Sequence, residues 1–404
     1  MDFTSLEPLP ILVFINLLLI AILLLLSRKG LREPYIFSPW RRFLVILLLF
    51  IFCLFSFCDT DWFHYAEMYF NILYVKGFNT PLEDVYTLIA DISPNYLVFR
   101  TIIWGSAVYL LCLLFRHVRV RGDLLLALFC AIWLIDFGTG RVVVAYTMMY
   151  LGGAILMKPI KGKMLLFSWI LGFTLLCSSL FFHKTALFGV ALVVLAFFPR
   201  LLNKRTFALF MMMYPFVLLL VQLLLMQFMN STVDPNVYNT LSTAGQNHLN
   251  KDPTEVGIGY LLYVFFRYLP YYSIAWIAYK VNLYQPEDSN CTEVMEGETD
   301  TEIAGSTDLL EKTEVPSEVR FFSRLTLYCV LVSTIFLFDL GANTRTVYIR
   351  FMMYGFIPAC VVLAWSWQHR FYPRLVRLTF LLGMAGTIYT LLYSFYISYL
   401  GVAE

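Results

Sequence analysis

Charged residues are scarce in this chain of 404 residues: they make up 14% of it, whereas hydrophobic residues make up 60%. A soluble globular domain has about 25% charged and about 45–50% apolar residues. The composition therefore excludes a soluble fold, whose interior could not bury so much apolar sequence. The formal net charge of +2 is too small to indicate binding to nucleic acid. We expect an integral membrane protein with many spans.

The chain also lacks the usual signatures of metal, disulfide and nucleotide chemistry. It has 8 cysteines, none in a Cys-x-x-Cys pair, so neither a disulfide framework nor a zinc site is expected. No Walker, Gly-x-Ser-x-Gly or His-Glu-x-x-His motif is present. We therefore expect no cofactor, with a divalent cation left open, and no use of cytoplasmic nucleotide as the energy source.

Long apolar runs fill most of the sequence instead. A helix needs about 20 apolar residues to cross a bilayer, with a range of about 17–25, and twelve segments approach this length. The sequence therefore predicts an all-α transmembrane bundle of about 12 spans, a single membrane domain over 1–404, with both termini on one side. The predicted spans are 9–27, 42–58, 96–115, 124–138, 141–157, 164–182, 185–199, 207–228, 258–283, 321–340, 347–367 and 378–400.

Basic residues predict the orientation of this bundle. Cytoplasmic loops are enriched in Lys and Arg, and six alternate segments contain 21 of the 29 basic residues. We expect these segments in the cytoplasm and both termini outside. No cleavable signal peptide is expected, because Asp2 and Glu7 precede the first apolar run and its basic cluster follows it. The six segments are 28–42, 116–123, 158–163, 199–206, 280–324 and 368–377.

Three segments between the spans differ from their surroundings. Residues 59–95 combine acidic and aromatic side chains, and predict a helix that lies at the outer membrane interface. Residues 229–257 are expected to form a second outer loop. Residues 286–318 contain 11 acidic residues and one Lys, which predicts a disordered cytoplasmic loop. This loop is either a solvated linker or a segment that binds a regulator or partner.

Eight basic residues remain on the predicted outer side, where the orientation rule disfavours them. Charges at membrane depth are costly and usually mark a functional site or an ion pair. Pairing with an aspartate or with lipid phosphate is the structural alternative. The eight residues are Lys76, Arg100, Arg141, Lys184, Lys251, Arg267, Arg345 and Arg350.

Two of these arginines have aromatic neighbours on the same helix face. Arg100 is four residues from both Tyr96 and Trp104. Arg267 is four residues from Tyr271. This pattern suits a sugar phosphate, because the sugar packs on an aromatic face while the guanidinium binds the oxyanion. An interfacial aromatic belt with an extended arginine is the alternative.

Asp61 and His183 are two further candidates for functional residues, and the carboxylate of Asp61 could act as a general base. Asp61 follows a predicted span, where its carboxylate could act on a sugar hydroxyl, hold a divalent cation or cap the next helix. His183 and Lys184 interrupt the apolar stretch 164–198 at its outer turn. Packing explains this histidine and lysine poorly, which favours a functional role.

A repeated turn pattern places an acid before an arginine. Asp136 ends one predicted span and Arg141 opens the next, with a glycine-containing turn between them, and Asp339 and Arg345 repeat the pattern. An arginine at a helix N-terminus opposes the helix dipole, so its partner must be strongly anionic. The preceding aspartate is one candidate partner, and a diphosphate is the other.

Taken in order, these motifs resemble those of the EpsG-like (Wzy-type) exopolysaccharide and O-antigen polymerases. The resemblance covers about 59–354. Two departures are Cys58, where the family commonly has Gly, and Glu83, which lacks the Pro-Gly that follows it in the family. The matching pieces are Asp59-Thr-Asp-Trp-Phe-His-Tyr65, Glu83-Asp-Val-Tyr86 with Leu88, Arg141 with Ala145, His183-Lys-Thr-Ala-Leu187, and Arg345 to Tyr354.

The resemblance implies a membrane glycosyltransferase of GT-C-like fold that joins undecaprenyl-diphosphate-linked repeat units outside a bacterial inner membrane. It implies Asp61 or His183 as the base, with Glu83 orienting the acceptor. A lipid-linked oligosaccharide would be the substrate, and a chain-length regulator, a flippase and membrane lipid would be partners. A flippase or transporter for the same lipid, or a glycan ligase, is the alternative function. The donor diphosphate would be held by Arg141, Lys184, Arg345 and Arg350, with Arg100 and Arg267 next.

Overall fold

Helices make up nearly all of the part of the chain that the computed structural model describes. No strand occurs within that part, which confirms the prediction of an all-α fold. The described residues are 10–31, 37–55, 61–74, 84–139, 142–157, 164–183, 186–198, 258–283, 314–337 and 352–400. The helices are α1 Pro10–Ser27, α2 Pro39–Leu54, α3 Asp61–Tyr74, α4 Asp84–Ile92, α5 Tyr96–His117, α6 Gly122–Ile132, α7 Leu134–Thr139, α8 Val143–Met157, α9 Met164–Phe182, α10 Ala186–Ala196, α11 Ile258–Leu283, α12 Ser317–Leu337, α13 Phe356–Gln368 and α14 Pro373–Leu400, and a 3₁₀ turn Arg28–Leu31 follows α1.

The described helices are those of a membrane protein. Four of them contain a stretch long and apolar enough to cross a bilayer, and four shorter ones are apolar. The predicted span 207–228 lies outside the described residues, so the total of about 12 spans stays a prediction. The four long stretches are Phe14–Leu31, Tyr96–His117, Leu165–Phe182 and Pro373–Leu392, and the shorter helices are Gly122–Ile132, Val143–Met157, Ala186–Ala196 and Phe356–Gln368.

The predicted span 124–138 is broken into α6 and α7 by a turn at Trp133. Inside a membrane, backbone groups that a helix break frees must find partners within the protein. The carbonyl of Ile132 accepts a hydrogen bond of 2.9 Å from Oγ1 of Thr387 on α14. The break is thus stabilised by a side chain far away in sequence, which explains why the apolar run alone did not predict it.

The predicted interfacial segment 59–95 contains two helices, α3 and α4, instead of one. The hydroxyl of Tyr69 on α3 donates to the carbonyl of Ser93, 2.8 Å away, just before α5. In α4, Tyr86 is buried while Leu88 is 61% exposed. Such a division into two faces is typical of a helix at a membrane interface.

The predicted disordered segment 286–318 ends earlier than expected. Glu314 onward is described, and α12 begins at Ser317. Val315 is 2% exposed and Glu318 is fully buried, so 314–318 belong to the packed bundle. The rest of the segment, 286–313, lies outside the described residues.

Helix ends from the predicted cytoplasmic segments meet at one end of the bundle, which we call the loop end. The buried carboxylate of Asp123, at the start of α6, accepts a hydrogen bond of 2.8 Å from the backbone N–H of Phe37. It also pairs with Arg42, whose Nε and Nη2 lie 2.8 and 3.1 Å from its two oxygens. Segments 28–42 and 116–123 are therefore joined.

Further contacts join the other basic segments to the loop end. Arg121 donates to the carbonyl of Gly30 over 2.7 Å, and its backbone N–H donates to the side chain of Gln368 over 2.9 Å. Nε of Arg119 lies 3.3 Å from the carboxylate of Glu318. Parts of four segments predicted on one side of the membrane thus lie together in the structure.

Candidate functional site

The described residues of the sequence motifs, such as Tyr86 and His183, lie toward the opposite end of the bundle, which we call the motif end. Helix α5 has 22 residues and runs from Tyr96 at the motif end to His117 at the loop end. At 1.5 Å per residue it is about 33 Å long, enough to cross the hydrocarbon core of a bilayer. The two ends are therefore on opposite faces of the bundle.

His183 forms the turn between α9 and α10. Its backbone N–H donates to the carbonyl of Ser179, 3.2 Å away, and its carbonyl accepts from the N–H of Ala186, 2.9 Å away. The side chain is half-buried. The turn thus fixes the backbone of His183 at the motif end, with the imidazole half-buried.

The start of α4 lies against this turn. The ring of Tyr86 meets the ring of Phe182 edge to face, with centroids 6.1 Å apart. Phe182 is the neighbour of His183, and Tyr86 is three residues after Glu83, which lies outside the described residues. The described neighbours of these two predicted catalytic positions, Tyr86 and Phe182, are therefore in contact.

A group of buried aromatic side chains connects the helices that follow the basic motifs, and we call it the aromatic cluster. The rings of Tyr146 on α8 and Tyr354 lie 4.6 Å apart. The hydroxyl of Tyr150, one turn further along α8, donates to the carbonyl of Tyr354. A Cβ atom added at Gly189 on α10 would lie 2.7 Å from Cε1 of Tyr354. Helices α8 and α10 therefore both pack on residue 354.

Helix α11 joins the same cluster through Tyr271. The hydroxyl of Tyr271 accepts a hydrogen bond of 3.0 Å from Nε1 of Trp133, at the break between α6 and α7. Its ring lies 3.3 Å from where a Cβ atom at Gly355 would be. The aromatic cluster thus consists of Trp133, Tyr146, Tyr150, Tyr271 and Tyr354.

Arg267 lines a small pocket beside the aromatic cluster. The volume of the pocket is about 10 Å³, which is close to the minimum for holding one water molecule. Its polar lining includes the hydroxyl-bearing Thr387 and Thr390 of α14. The half-buried guanidinium of Arg267 also lies 5.6 Å from the ring centroid of Tyr268. The pocket gives Arg267 an environment able to take a small polar group.

Arg100 has a different environment. It is 1% exposed, and its guanidinium lies 4.0 Å from the ring centroid of Trp104. The aromatic neighbours that the sequence predicted do therefore contact this arginine. Its N–H groups, however, also donate to the backbone at the end of α2, through Leu54 and Cys53.

The remaining predicted site residues are either described only in part or lie outside the described residues. Asp61 is the first residue of α3, and its carboxylate is not among the described groups. Sequence reasoning missed Trp133, Tyr146 and Tyr150 of the aromatic cluster. The one signal in the sequence was the spacing of Tyr146, five residues after Arg141. The predicted residues outside the described ranges are Glu83, Arg141, Lys184, Arg345 and Arg350.

Across the described residues there is no group of three or more His, Cys, Asp or Glu side chains that could hold a metal ion. No protein-family model matches the chain, and neither a curated protein nor a solved structure matches it. The resemblance to the EpsG-like polymerases therefore depends on the five sequence motifs, and the geometry of the motif end is independent of it.

Proposed function

We propose that the protein is a membrane glycosyltransferase that polymerises oligosaccharide repeat units carried on undecaprenyl diphosphate. The observation that supports this proposal is that described residues a few positions after three basic motifs meet at the aromatic cluster. Arg141 is five residues before Tyr146, Lys184 is five before Gly189, and Arg350 is four before Tyr354. Of the three later residues, Tyr146 and Gly189 each lie against Tyr354.

Chain length limits how far apart the three cations can be. Five residues span at most about 18 Å when extended and about 7.5 Å along a helix. The Cα atoms of Arg141, Lys184 and Arg350 are therefore limited, by the chain alone, to within about 18 Å of a described residue of this contact. We propose that the three cations bind one shared anion, which would offset the repulsion between them. A diphosphate supplies that anion.

The chemistry that fits these groups is displacement at an anomeric carbon. The hydroxyl oxygen of the acceptor unit attacks that carbon, and the bond to the diphosphate oxygen breaks with its electron pair. Asp61 or His183 takes the hydroxyl proton as general base, and Glu83 orients the acceptor. Arg141, Lys184, Arg345 and Arg350 stabilise the negative charge that develops on the leaving diphosphate. The sugar is already activated, so no nucleotide is needed.

The proposal includes a cellular arrangement. About 12 spans in a GT-C-like bundle would place the motif end on the outer face of a bacterial inner membrane, with both termini outside. The loop end, with its basic segments, would then face the cytoplasm. A flippase would deliver the lipid-linked units, and a chain-length regulator would set the length of the product.

A flippase or transporter is the second candidate, and the distribution of charge argues against it. A transporter should place polar groups along a path through the full membrane depth. The buried charged side chains that the structure describes lie at the bundle ends instead: Arg100 at the motif end, and Asp123, Glu318 and Arg324 at the loop end. The distribution of charge does not argue against a ligase, because a ligase would use the same donor chemistry as a polymerase.

The experiment that tests the proposal is analysis of lipid-linked saccharides in cells that lack the protein. Cells are complemented with the wild type, with Arg141→Ala, with His183→Ala, or with Arg374→Ala as a matched control. Arg374 is an exposed arginine at the loop end, so its loss removes the same charge far from the motif end. We expect polymer with the wild type and the control, and single repeat units on the outer side with the other two variants.

Other outcomes identify the alternatives. Repeat units trapped on the inner side of the membrane would indicate a flippase. Polymer of normal length that stays on its lipid would indicate a ligase. Disappearance of the Arg141→Ala protein from the membrane, instead of its activity, would show that Arg141 has a structural role.

A further inference from the structure

Arg320 and Arg324 of α12 bind the loop-end termini of two neighbouring helices. Nε of Arg324 donates to the carbonyl of Ala196, the last residue of α10. Its Nη1 donates to the side-chain oxygen of Asn282 over 3.5 Å, and Nη1 of Arg320 donates to the backbone carbonyl of the same residue over 3.3 Å. Asn282 is the last residue but one of α11. The two guanidinium groups, one turn apart on α12, therefore lie together between the ends of α10 and α11.

Arg324 is a buried cation without an acidic partner. It is 4% exposed, and no carboxylate lies within ion-pair distance of it in the part of the chain that the structure describes. The two buried acids of the loop end are different, because Asp123 pairs with Arg42 and Glu318 pairs with Arg119. Burying a charge is costly unless it is paired. The two hydrogen bonds of Arg324 also use only part of the five N–H groups of a guanidinium, so donors are left for an anion.

This arginine lies at the level of the lipid headgroups. Arg324 bonds to the last turns of α10 and α11, at the end of the bundle that contains the basic segments predicted to face the cytoplasm. The end of α11 also has the side chains of a membrane interface. Trp276 is exposed, and Nζ of Lys280 lies 4.9 Å from the centroid of its ring. Tryptophan and lysine are typical of this level, so a lipid phosphate can reach Arg324 from the surrounding membrane.

The end of α10 beside Arg324 presents an apolar surface. Val194, Leu195 and Phe198 are all exposed, and each lies within two residues of Ala196, whose carbonyl Arg324 binds. The acyl chains of a lipid whose phosphate binds Arg324 would cover this surface. A free phosphate ion would leave it uncovered.

We infer that Arg320 and Arg324 form a binding site for the phosphate of an anionic phospholipid, between the ends of α10, α11 and α12. Basic pockets between membrane helices on the cytoplasmic side are known to bind such headgroups. The fork of an arginine matches two phosphate oxygens, and the negative charge offsets the repulsion between the two guanidinium groups. The site does not depend on the proposed glycosyl transfer, because it lies at the opposite end of the bundle from the motif end.

The test measures lipid binding by the purified full-length protein in detergent. Dioleoyl phosphatidylglycerol is titrated into the wild type and each variant, and the rise in the midpoint of thermal unfolding gives the Kd. We expect Arg324→Gln and Arg320→Gln to weaken binding about 10-fold or more, the factor expected for one charge-assisted hydrogen bond. Arg324→Lys should bind with intermediate affinity. Arg116→Gln, which removes an exposed cation at the loop end, should match the wild type.

Two further ligands identify the source of the phosphate. Dioleoyl phosphatidylcholine should raise the midpoint much less than phosphatidylglycerol, because its headgroup has no net negative charge. Inorganic phosphate, which has no acyl chains, should not raise the midpoint at concentrations at which phosphatidylglycerol saturates the protein. A rise with inorganic phosphate alone that Arg324→Gln abolishes would show a site for the free ion and overturn the lipid assignment.

Three other outcomes would overturn the inference. Equal loss of affinity in Arg116→Gln and Arg324→Gln would show that the general positive charge of the loop end attracts the lipid. Binding that appears only after deletion of 290–311 would show that this acidic segment occupies the arginines in place of lipid. If Arg324→Gln does not fold, Arg320→Gln decides, and unchanged affinity in that variant would overturn the site.

Discussion

A single added methyl group tests the packing of α10 on the aromatic cluster. In Gly189→Ala, the new Cβ would lie 2.6 Å from Sδ of Met149 and 2.7 Å from Cε1 of Tyr354. Carbon atoms at such distances overlap, since nonbonded carbons are normally about 3.5–4.0 Å apart. The substitution therefore forces α10, Met149 or Tyr354 to move.

The cost of that movement follows from what each neighbour can do. The thioether of Met149 is flexible and can turn away. Tyr354 is fixed by the ring of Tyr146 and by the hydroxyl of Tyr150, so the overlap with its ring remains. Overpacking of this kind costs about 1–3 kcal/mol. We expect Gly189→Ala to lower the free energy of unfolding by that amount, less the roughly 1 kcal/mol that alanine gains over glycine inside a helix.

The assay is unfolding of the purified protein in detergent, and Gly105→Ala is the matched control. A Cβ atom at Gly105 on α5 would meet only Cε2 of Phe50, at 3.6 Å, which is an ordinary contact. Alanine is favoured over glycine inside a helix by about 1 kcal/mol. The control should therefore be as stable as the wild type or slightly more stable. Equal stability of the two variants would refute the described packing of α10.

Met149→Ala, alone and combined with Gly189→Ala, gives a second test of this packing. Alone, it should cost about 2–5 kcal/mol, as for other buried methionines. In its background, Gly189→Ala gains room where the thioether stood, so the alanine should cost less than it does in the wild type. Additive costs would show that Met149 and position 189 are not in contact.

Three further predictions concern the loop end and the acidic segment. Asp123→Asn removes the charge that pairs with Arg42 and weakens the bond from Phe37, so the midpoint of thermal unfolding should fall by an amount equivalent to about 1.5–3 kcal/mol; an unchanged midpoint would contradict the described pairing. Arg370 has a φ of 52° at the end of α13, a conformation that costs a residue with a side chain about 1 kcal/mol or more, so Arg370→Gly should unfold at a higher temperature. Deletion of 290–311 should leave both the unfolding midpoint and polymer synthesis intact if this acidic segment is a linker, and a folded but inactive deletion would show that it has a regulatory role.

The long apolar helices were predictable because polar residues in the sequence mark where each helix begins and ends. The predicted spans 164–182 and 258–283 coincide with α9 and α11, where an apolar run is bounded by polar residues. The break at Trp133 was not predictable, since the partner of the freed carbonyl is Thr387 on α14. Local composition also gave no sign that α12 would begin within an acidic segment.

For the candidate site, too, the sequence predicted some features and not others. The motifs directed attention to Arg100 and His183, and the structure describes both at the motif end. The partners of Arg100 could not be predicted, because two of them are backbone carbonyl groups, which every residue has. The meeting of Tyr146 with Tyr354 joins helices that share no local pattern, so only the folded chain reveals it.

The bond from Tyr150 to Tyr354 also has a consequence for how the protein is made. It joins positions 204 residues apart in the chain. Synthesis proceeds at about 5–20 residues per second, so α8 waits in the membrane for roughly 10–40 seconds before residue 354 leaves the ribosome. During that interval Tyr150 must bond elsewhere, to lipid headgroups, to insertion machinery or to its own helix. The aromatic cluster is therefore completed late, and a nascent chain that stops short of residue 354 lacks the contact between Tyr146 and Tyr354.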